Sequence, residues 1–471
     1  MTKLPMRKYK DQMLETLSRL IAIPSVKGAS QLNMPYGREV FHALMVMLDE
    51  AEQLDLESVN LFGHMGCASY GSGDETLAIL CHLDVVPAGE GWQSDPFAME
   101  VRDGRIYGRG AVDDKGPAVA ALYALHAVKS SCINLNKEVK VIFGCDEESG
   151  WEDIDYYKAH YPEPDYVLSP DGCFPIVSRE KGLLQLRLSA RALPFPEGVA
   201  ITAIGAGSRP NIVPNKASCT LRAPLETVRS FAEVYGEGLP ASFAVKGEDG
   251  AVNVEVSGVA AHGAHPEKGV NALSYLIQFL SVLPMAPGAA EKFVYALGEL
   301  VGGEIDGGRL GIAGSDEKSG SLSVNLGMIE WDGEEIAATL DIRYPVSMRG
   351  EEIESTVREA FAARGVKTDV LHAQRAHEVD ENGPFLQALA RVYEENFEKP
   401  AQFVCLSGAT YARAFKNSVA FGPVPQERPS LEHGPNEYLE VEDMIRLAET
   451  LAGAILEIAA SEKDRANIFN L

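Results

Sequence analysis

The sequence has no run of about 18 consecutive apolar residues, the length a membrane-spanning helix needs. Its first stretch, MTKLPMRKYKDQMLETLSRL, lacks the apolar segment of a secretory signal, so a cytoplasmic protein is expected. Positive charge is scarce: 42 Lys and Arg face 68 Asp and Glu, a net of -26. Such a field repels nucleic acid and anionic membrane surfaces, and neither is expected as a partner. The acids are dispersed rather than gathered in a tail, which suits solubility. No CxxC pair occurs among the seven cysteines, and an odd number spread along the chain is no disulfide framework. They suit a reducing compartment, where thiols pack as small apolar groups. Cys145 and Cys173 adjoin acidic motifs, but no activating histidine accompanies them.

What is present is a long chain, 46% hydrophobic over 471 residues, enough for two or three domains. Residues 6–22 and 37–53 carry apolar positions at helical spacing. TLAILCHLDVVP and EVKVIFG read as strands buried on both faces, and YVLSPDG as a short strand. PAVAALYALHAVKSS reads as a helix, with Pro117 near its start. Strand and helix alternate, which predicts an α/β layer with a mainly parallel sheet. After Lys181-Gly182 the period changes to two. LLQLRLSAR, SCTLRAPL, VNVEVSGVAAH, SLSVNLGMIEWDG and EEIAATLDIRYP read as half-buried antiparallel strands, with helices near 225–236, 270–283 and 350–364. Residues 183–378 are therefore expected to form an α+β domain inserted between two parts, 1–182 and 379–471, of the first.

Acidic and histidine motifs follow the predicted strands, where α/β sheets gather their ligands. In Cys81-His82-Leu83-Asp84, strand period puts His82 and Asp84 on one face. Asp113-Asp114-Lys115-Gly116 precedes a helix, and a carboxylate there could bridge two ions through its two oxygens. Asp146-Glu147-Glu148 sets three acids side by side, which repel unless a cation is near; one can serve a metal and another a water. Ser169-Pro170-Asp171-Gly172 alone is an ordinary turn, and His433 in Leu431-Glu432-His433-Gly434-Pro435-Asn436-Glu437 alone is a loop histidine. Together the motifs supply two imidazoles and three carboxylates. Two divalent cations with three carboxylates and a hydroxide sum to near neutrality. Imidazole and carboxylate donors without thiolate suit zinc, with manganese or cobalt as alternatives.

HLDVVP, GRGAVDDKG, DEES, SPDG and a late histidine, in that order, resemble the metallopeptidases that include carboxypeptidase G, aminoacylase, succinyl-diaminopimelate desuccinylase and acetylornithine deacetylase. GRGAVDDKGP, GCDEESGW and SGATYAR are most similar to the bacterial dipeptidases of the peptidase V type. The likeness covers nearly the whole chain. It implies a zinc-exopeptidase-like catalytic domain and an inserted lid of two ferredoxin-like α+β halves. It implies that His82 and Asp171 hold one metal, Glu148 and His433 the other, and that Asp113 bridges them before a cis bond to Asp114. Glu147 becomes the general base and acid, activating a water between the metals, and Asp84 its companion. In GVAAHGAHPEKGVNA, His262 falls at the lid histidine that stabilises the oxyanion, with His265 as competitor. Arg343 in LDIRYP would grip the substrate carboxylate. Asn211, or else Asn215, is its polar partner, and Gly408 offers a backbone N–H. The expected protein is a monomeric dipeptidase with two divalent ions, acting on free dipeptides. An N-acyl-amino-acid deacylase or aminoacylase is the alternative.

Overall fold

The computed structural model describes residues 4–195, 197–248, 250–428 and 432–461. These fall into two compact units. The first runs through Arg179, returns as Val379–Val404 and resumes at Ala409; the second is Glu180–Glu378 together with Cys405–Gly408. Those last four residues lie inside the stretch that the sequence pattern assigned wholly to the first unit. Hydrogen bonds to the second unit go with that placement: Lys181 N–H donates to Leu406 O at 2.9 Å, and the Arg343 side chain donates from Nη1 to Ser407 O at 3.1 Å.

The first unit is built on a mixed sheet. Seven of its nine strands run in the order Glu57–Leu61, Met65–Tyr70, Glu138–Gly144, Thr76–His82, Tyr166–Ser169, Ser418–Ala420 and Ile176–Glu180. Four central strands, from Glu138–Gly144 to Ser418–Ala420, run parallel, and the flanking pairs are antiparallel. Leu77, Ala78, Ile79, Leu80 and Cys81 are fully buried, as a central strand covered on both faces requires. His82 is in register with Gly144, so the turns after both strands begin at one level. The helix Lys115–Ser130 packs against Val441–Ala459. Its alanines at 118, 120, 121, 124 and 127 are buried and allow close approach around the helix.

The second unit is an eight-stranded antiparallel sheet. Its order is Ser242–Glu248, Ala251–Ser257, Lys216–Arg222, Ala200–Ala206, Ser323–Trp331, Glu335–Tyr344, Gly182–Arg191 and Lys367–Gln374. The strand Ala251–Ser257 shows the expected alternation: Val252, Val254 and Val256 are buried and their neighbours exposed. At the seam between Ala200–Ala206 and Ser323–Trp331 only two pairs form, Gly205 with Glu330 and Ala206 with Ile329. The seam divides the sheet into two four-stranded halves. Helices Leu225–Gly236 and Ala272–Val282 pack on the first half, and Ala289–Leu300 and Gly350–Ala362 on the second. The chain thus has the mixed α/β fold with an inserted α+β unit. Among the described residues no helix is long and apolar enough to cross a membrane.

Candidate metal centre

Four turns of the first unit and the loop of His433 bring the site together. His82 ends its strand fully buried. Its Nε2 lies 2.9 Å from Asp113 Oδ1 and 3.8 Å from Asp171 Oδ2. On the other side of the ring, Nδ1 lies 2.9 Å from the carbonyl oxygen of Asp84. A carbonyl can only accept, so Nδ1 carries a proton and Nε2 faces the carboxylates, the orientation a metal-bound imidazole needs. His433 Nε2 lies 3.1 Å from Asp113 Oδ2 and 3.0 Å from Glu148 Oε2. Two groups of possible ligands result: His82, Asp113 and Asp171, and Asp113, Glu148 and His433. Within each group the ligand atoms all lie within 4.8 Å of one another. Asp113 belongs to both, one oxygen toward each histidine. The Asp113–Asp114 peptide is cis.

Backbone hydrogen bonds to buried carboxylates hold the acidic turn. Asp84 Oδ1 and Oδ2 accept from Glu147 N and Glu148 N, each at 3.1 Å. Asp84 therefore reaches Glu147 through its main chain, a contact that the order of the motifs does not reveal. Asp153 Oδ2 accepts from Cys145 N at 2.7 Å and Asp146 N at 3.1 Å, and also from the Tyr411 hydroxyl. Burial pushes the Asp153 carboxyl up to about 7. The Tyr411 ring meets His82 edge-on, with centroids 6.1 Å apart. Trp151 Nε1 donates to Glu147 O at 2.8 Å. Asp114 Oδ2 accepts from His82 N at 3.0 Å.

The electrostatics call for cations. Burial, then the charge of Asp171, raises the Glu147 carboxyl well above the carboxylate range. Burial and Asp113 raise Asp171 and Glu148 as well. Burial alone would raise Asp113 too, but hydrogen bonds from His433 and His82 outweigh it and hold it below that range. Burial opposes the charge on His433, yet Asp113 and Glu148 push it up to about 11. The imidazoles stand where cations belong. Neighbouring cationic side chains are engaged elsewhere: Arg109 with Glu437, Lys115 with Leu20 O and Ile23 O, and Lys27 with Asp146. No thiolate competes. Cys145 and Cys173 are buried, and burial raises both thiols, Cys173 to about 12. The donor set fits two divalent ions of the zinc, manganese or cobalt kind.

Residues 78–457 match the profile of the peptidase family M20/M25/M40. The chain belongs to that family. It is a metallopeptidase. YtjP of Bacillus subtilis (strain 168) is 34% identical over 458 residues, covering 96% of this chain and 98% of YtjP. The Beta-Ala-Xaa dipeptidase of Lactobacillus delbrueckii subsp. lactis is 32% identical over 463 residues, covering 96% and 97%. Among solved structures, the di-peptidase Dug1p from Saccharomyces cerevisiae shares the fold with a TM-score of 0.59 at 15% identity, covering 96% of this chain and 97% of that one.

In the second unit of this M20 peptidase, Asn211 O accepts from Gly263 N at 2.7 Å, and Ile212 bridges to His262. Asn211 and His262 therefore share one loop pair. His262 Nδ1 accepts from Ala264 N at 3.2 Å, while His265 Nδ1 lies 3.2 Å from Glu267 Oε1. Asn215 O is taken by Gly258 N. Arg343 is buried. Its Nε and Nη2 donate to Asp341 Oδ1 and Oδ2 at 2.7 and 3.2 Å, and Nη1 reaches Ser407 O, one residue before Gly408. Asp341 had a signal in the sequence: two residues before Arg343 on a strand, it lies on the same face.

Proposed function

We propose that the protein is a dinuclear metal-dependent dipeptidase acting on dipeptides with a free amino terminus. The observation that carries this is Asp113, shared by both ligand groups, with the half-buried Glu147, whose carboxyl is raised by burial and by Asp171, close to them. The dipeptidase named among its relatives supports the substrate class. His82, Asp113 and Asp171 would hold one ion, and Asp113, Glu148 and His433 the other. When bound, such ions polarise the scissile carbonyl and acidify water.

The remaining chemistry belongs to the chain. Glu147 accepts the proton of the attacking water as its oxygen bonds to the peptide carbon. Glu147 then returns that proton to the nitrogen of the leaving residue as the C–N bond breaks, giving two amino acids. We assign stabilisation of the oxyanion to His262. The substrate's carboxylate is assigned to Arg343, Asn211 and the Gly408 N–H. Asp341 already uses Nε and Nη2 of Arg343, so the carboxylate would take the second hydrogens of Nη1 and Nη2. Arg343→Met should raise KM for dipeptides by at least tenfold; an unchanged KM would remove Arg343 from the site.

The test of the whole is a substrate panel. Protein stripped of metal and refilled with Zn, Mn or Co should cleave free dipeptides. It should leave tripeptides and N-acetyl amino acids largely intact. Cleavage of the N-acetyl compounds alone would replace the dipeptidase with an N-acyl-amino-acid deacylase of the same family. The protein is taken to be a cytoplasmic monomer; light scattering at dimer mass, or recovery outside the cytoplasm on fractionation, would refute that part.

A further inference from the structure

Glu437 is fully buried, four residues after His433, and no step above uses it. Its Oε1 accepts from Val112 N at 2.9 Å and from Asp113 N at 3.3 Å. Its Oε2 accepts from Arg109 Nη1 at 2.6 Å. Its own carbonyl accepts from Gly108 N at 3.2 Å. The next residues, Tyr438–Glu440, pair antiparallel with Arg105–Tyr107. One residue thus ties the loop of His433 to the loop of Asp113 at four points. Arg109, equally buried, extends the tie: Nη2 reaches Pro87 O at 3.4 Å and Ala88 O at 3.3 Å, and the guanidinium lies 5.3 Å from the Trp92 ring.

A buried carboxylate is costly unless paired and hydrogen-bonded. The fold meets that condition here with one arginine and two amides, one of them that of Asp113 itself. The geometry points to Glu437 as a positioning residue, which fixes the backbone of the shared ligand Asp113 relative to the His433 loop. It thereby sets the affinity for the ion held by Asp113, Glu148 and His433. This rests on the dinuclear reading. A partner held only for stability would influence folding and leave ion affinity alone.

Glutamine at 437 keeps an acceptor for the two amides but turns an amide nitrogen toward Arg109, leaving that buried charge without its anion. The full chain, stripped of metal, is titrated with zinc against a chromophoric chelator, and its thermal midpoint is recorded separately in excess chelator. Wild type should take up two ions. Glu437→Gln should bind one of its two ions about 10- to 100-fold less tightly than wild type does, the range found for partners of metal ligands. Asp443→Asn is the control. It breaks the Arg428–Asp443 ion pair, in the same unit and outside both ligand groups, so it should lower the midpoint and keep both affinities. If Glu437→Gln does not fold, Glu437→Asp replaces it; the carboxylate, withdrawn by one methylene, should cost at least threefold in affinity. Affinities within twofold of wild type in a folded Glu437 variant would overturn the assignment and leave the dinuclear site standing. Uptake of fewer than two ions by wild type would instead remove the dinuclear reading, and this role with it.

Discussion

Glu147→Gln is expected to lower kcat by about 100- to 10,000-fold, the usual worth of a general acid–base, while both ions stay bound. Glutamine keeps the length and shape of the side chain and cannot take a proton. The main chain at 147 is held independently of that side chain, by Asp84 on its N–H and Trp151 on its carbonyl. The substitution should therefore leave the turn in place. A base that must also act as an acid works best when its proton affinity is raised toward the working pH. Burial, with Asp171 next in weight, raises Glu147 in that direction. The neighbouring Glu148 makes the contrast. It lies against His433 in the second ligand group, so Glu148→Gln should lose an ion along with its activity. Steady-state kinetics paired with metal content on both variants separates the roles. Turnover within fivefold of wild type in a fully metallated Glu147→Gln would sink the base assignment.

The fold was legible wherever one period dominated. The central strand Thr76–His82 is an unbroken apolar run, and Ala251–Ser257 alternates strictly. Where burial is weak the pattern fades. Ser242–Glu248 is an edge strand with no buried residue, and Ala200–Ala206 is rich in Ala and Gly, so neither carries a clear period. The family resemblance carried by the motifs implied His82, Asp113, Glu148, Asp171 and His433 as ligands, and in the structure these five form two groups that share Asp113. Sequence could not show what holds them. Glu437 and Asp153 act on backbone amides, Glu437 across more than 300 residues of chain, and an acid that accepts from an amide looks in sequence like any other acid. Asp84 is of the same kind: its carbonyl serves His82 and its carboxylate serves the acidic turn.

Removing the ions should make stability fall with rising pH, an effect the metallated protein should largely lack. Without cations, Glu147, Glu148 and Asp171 are raised by burial and by acidic neighbours. A carboxyl raised on folding contributes stability that is whole below its unfolded value, about 4, and lost as pH climbs through its folded value. The histidines act in the same sense. His433, pushed up to about 11 against burial by Asp113 and Glu148, contributes fully below about 6.5 and loses its contribution on the way to 11. Asp113, held below the carboxylate range, has the opposite sign, but its change falls below about pH 4. Between pH 5 and 9 the stripped protein should therefore become steadily less stable. Bound ions reverse the balance, because they supply the positive charge and release the competing protons. One ion at 100 times its Kd adds about 2.7 kcal/mol, and the gap between filled and stripped protein should widen with pH. Thermal unfolding at pH 5, 7 and 9, with excess chelator and with excess zinc, measures it. A stripped protein that gains stability toward pH 9 would mean that these carboxylates and imidazoles do not form one charge-coupled metal centre.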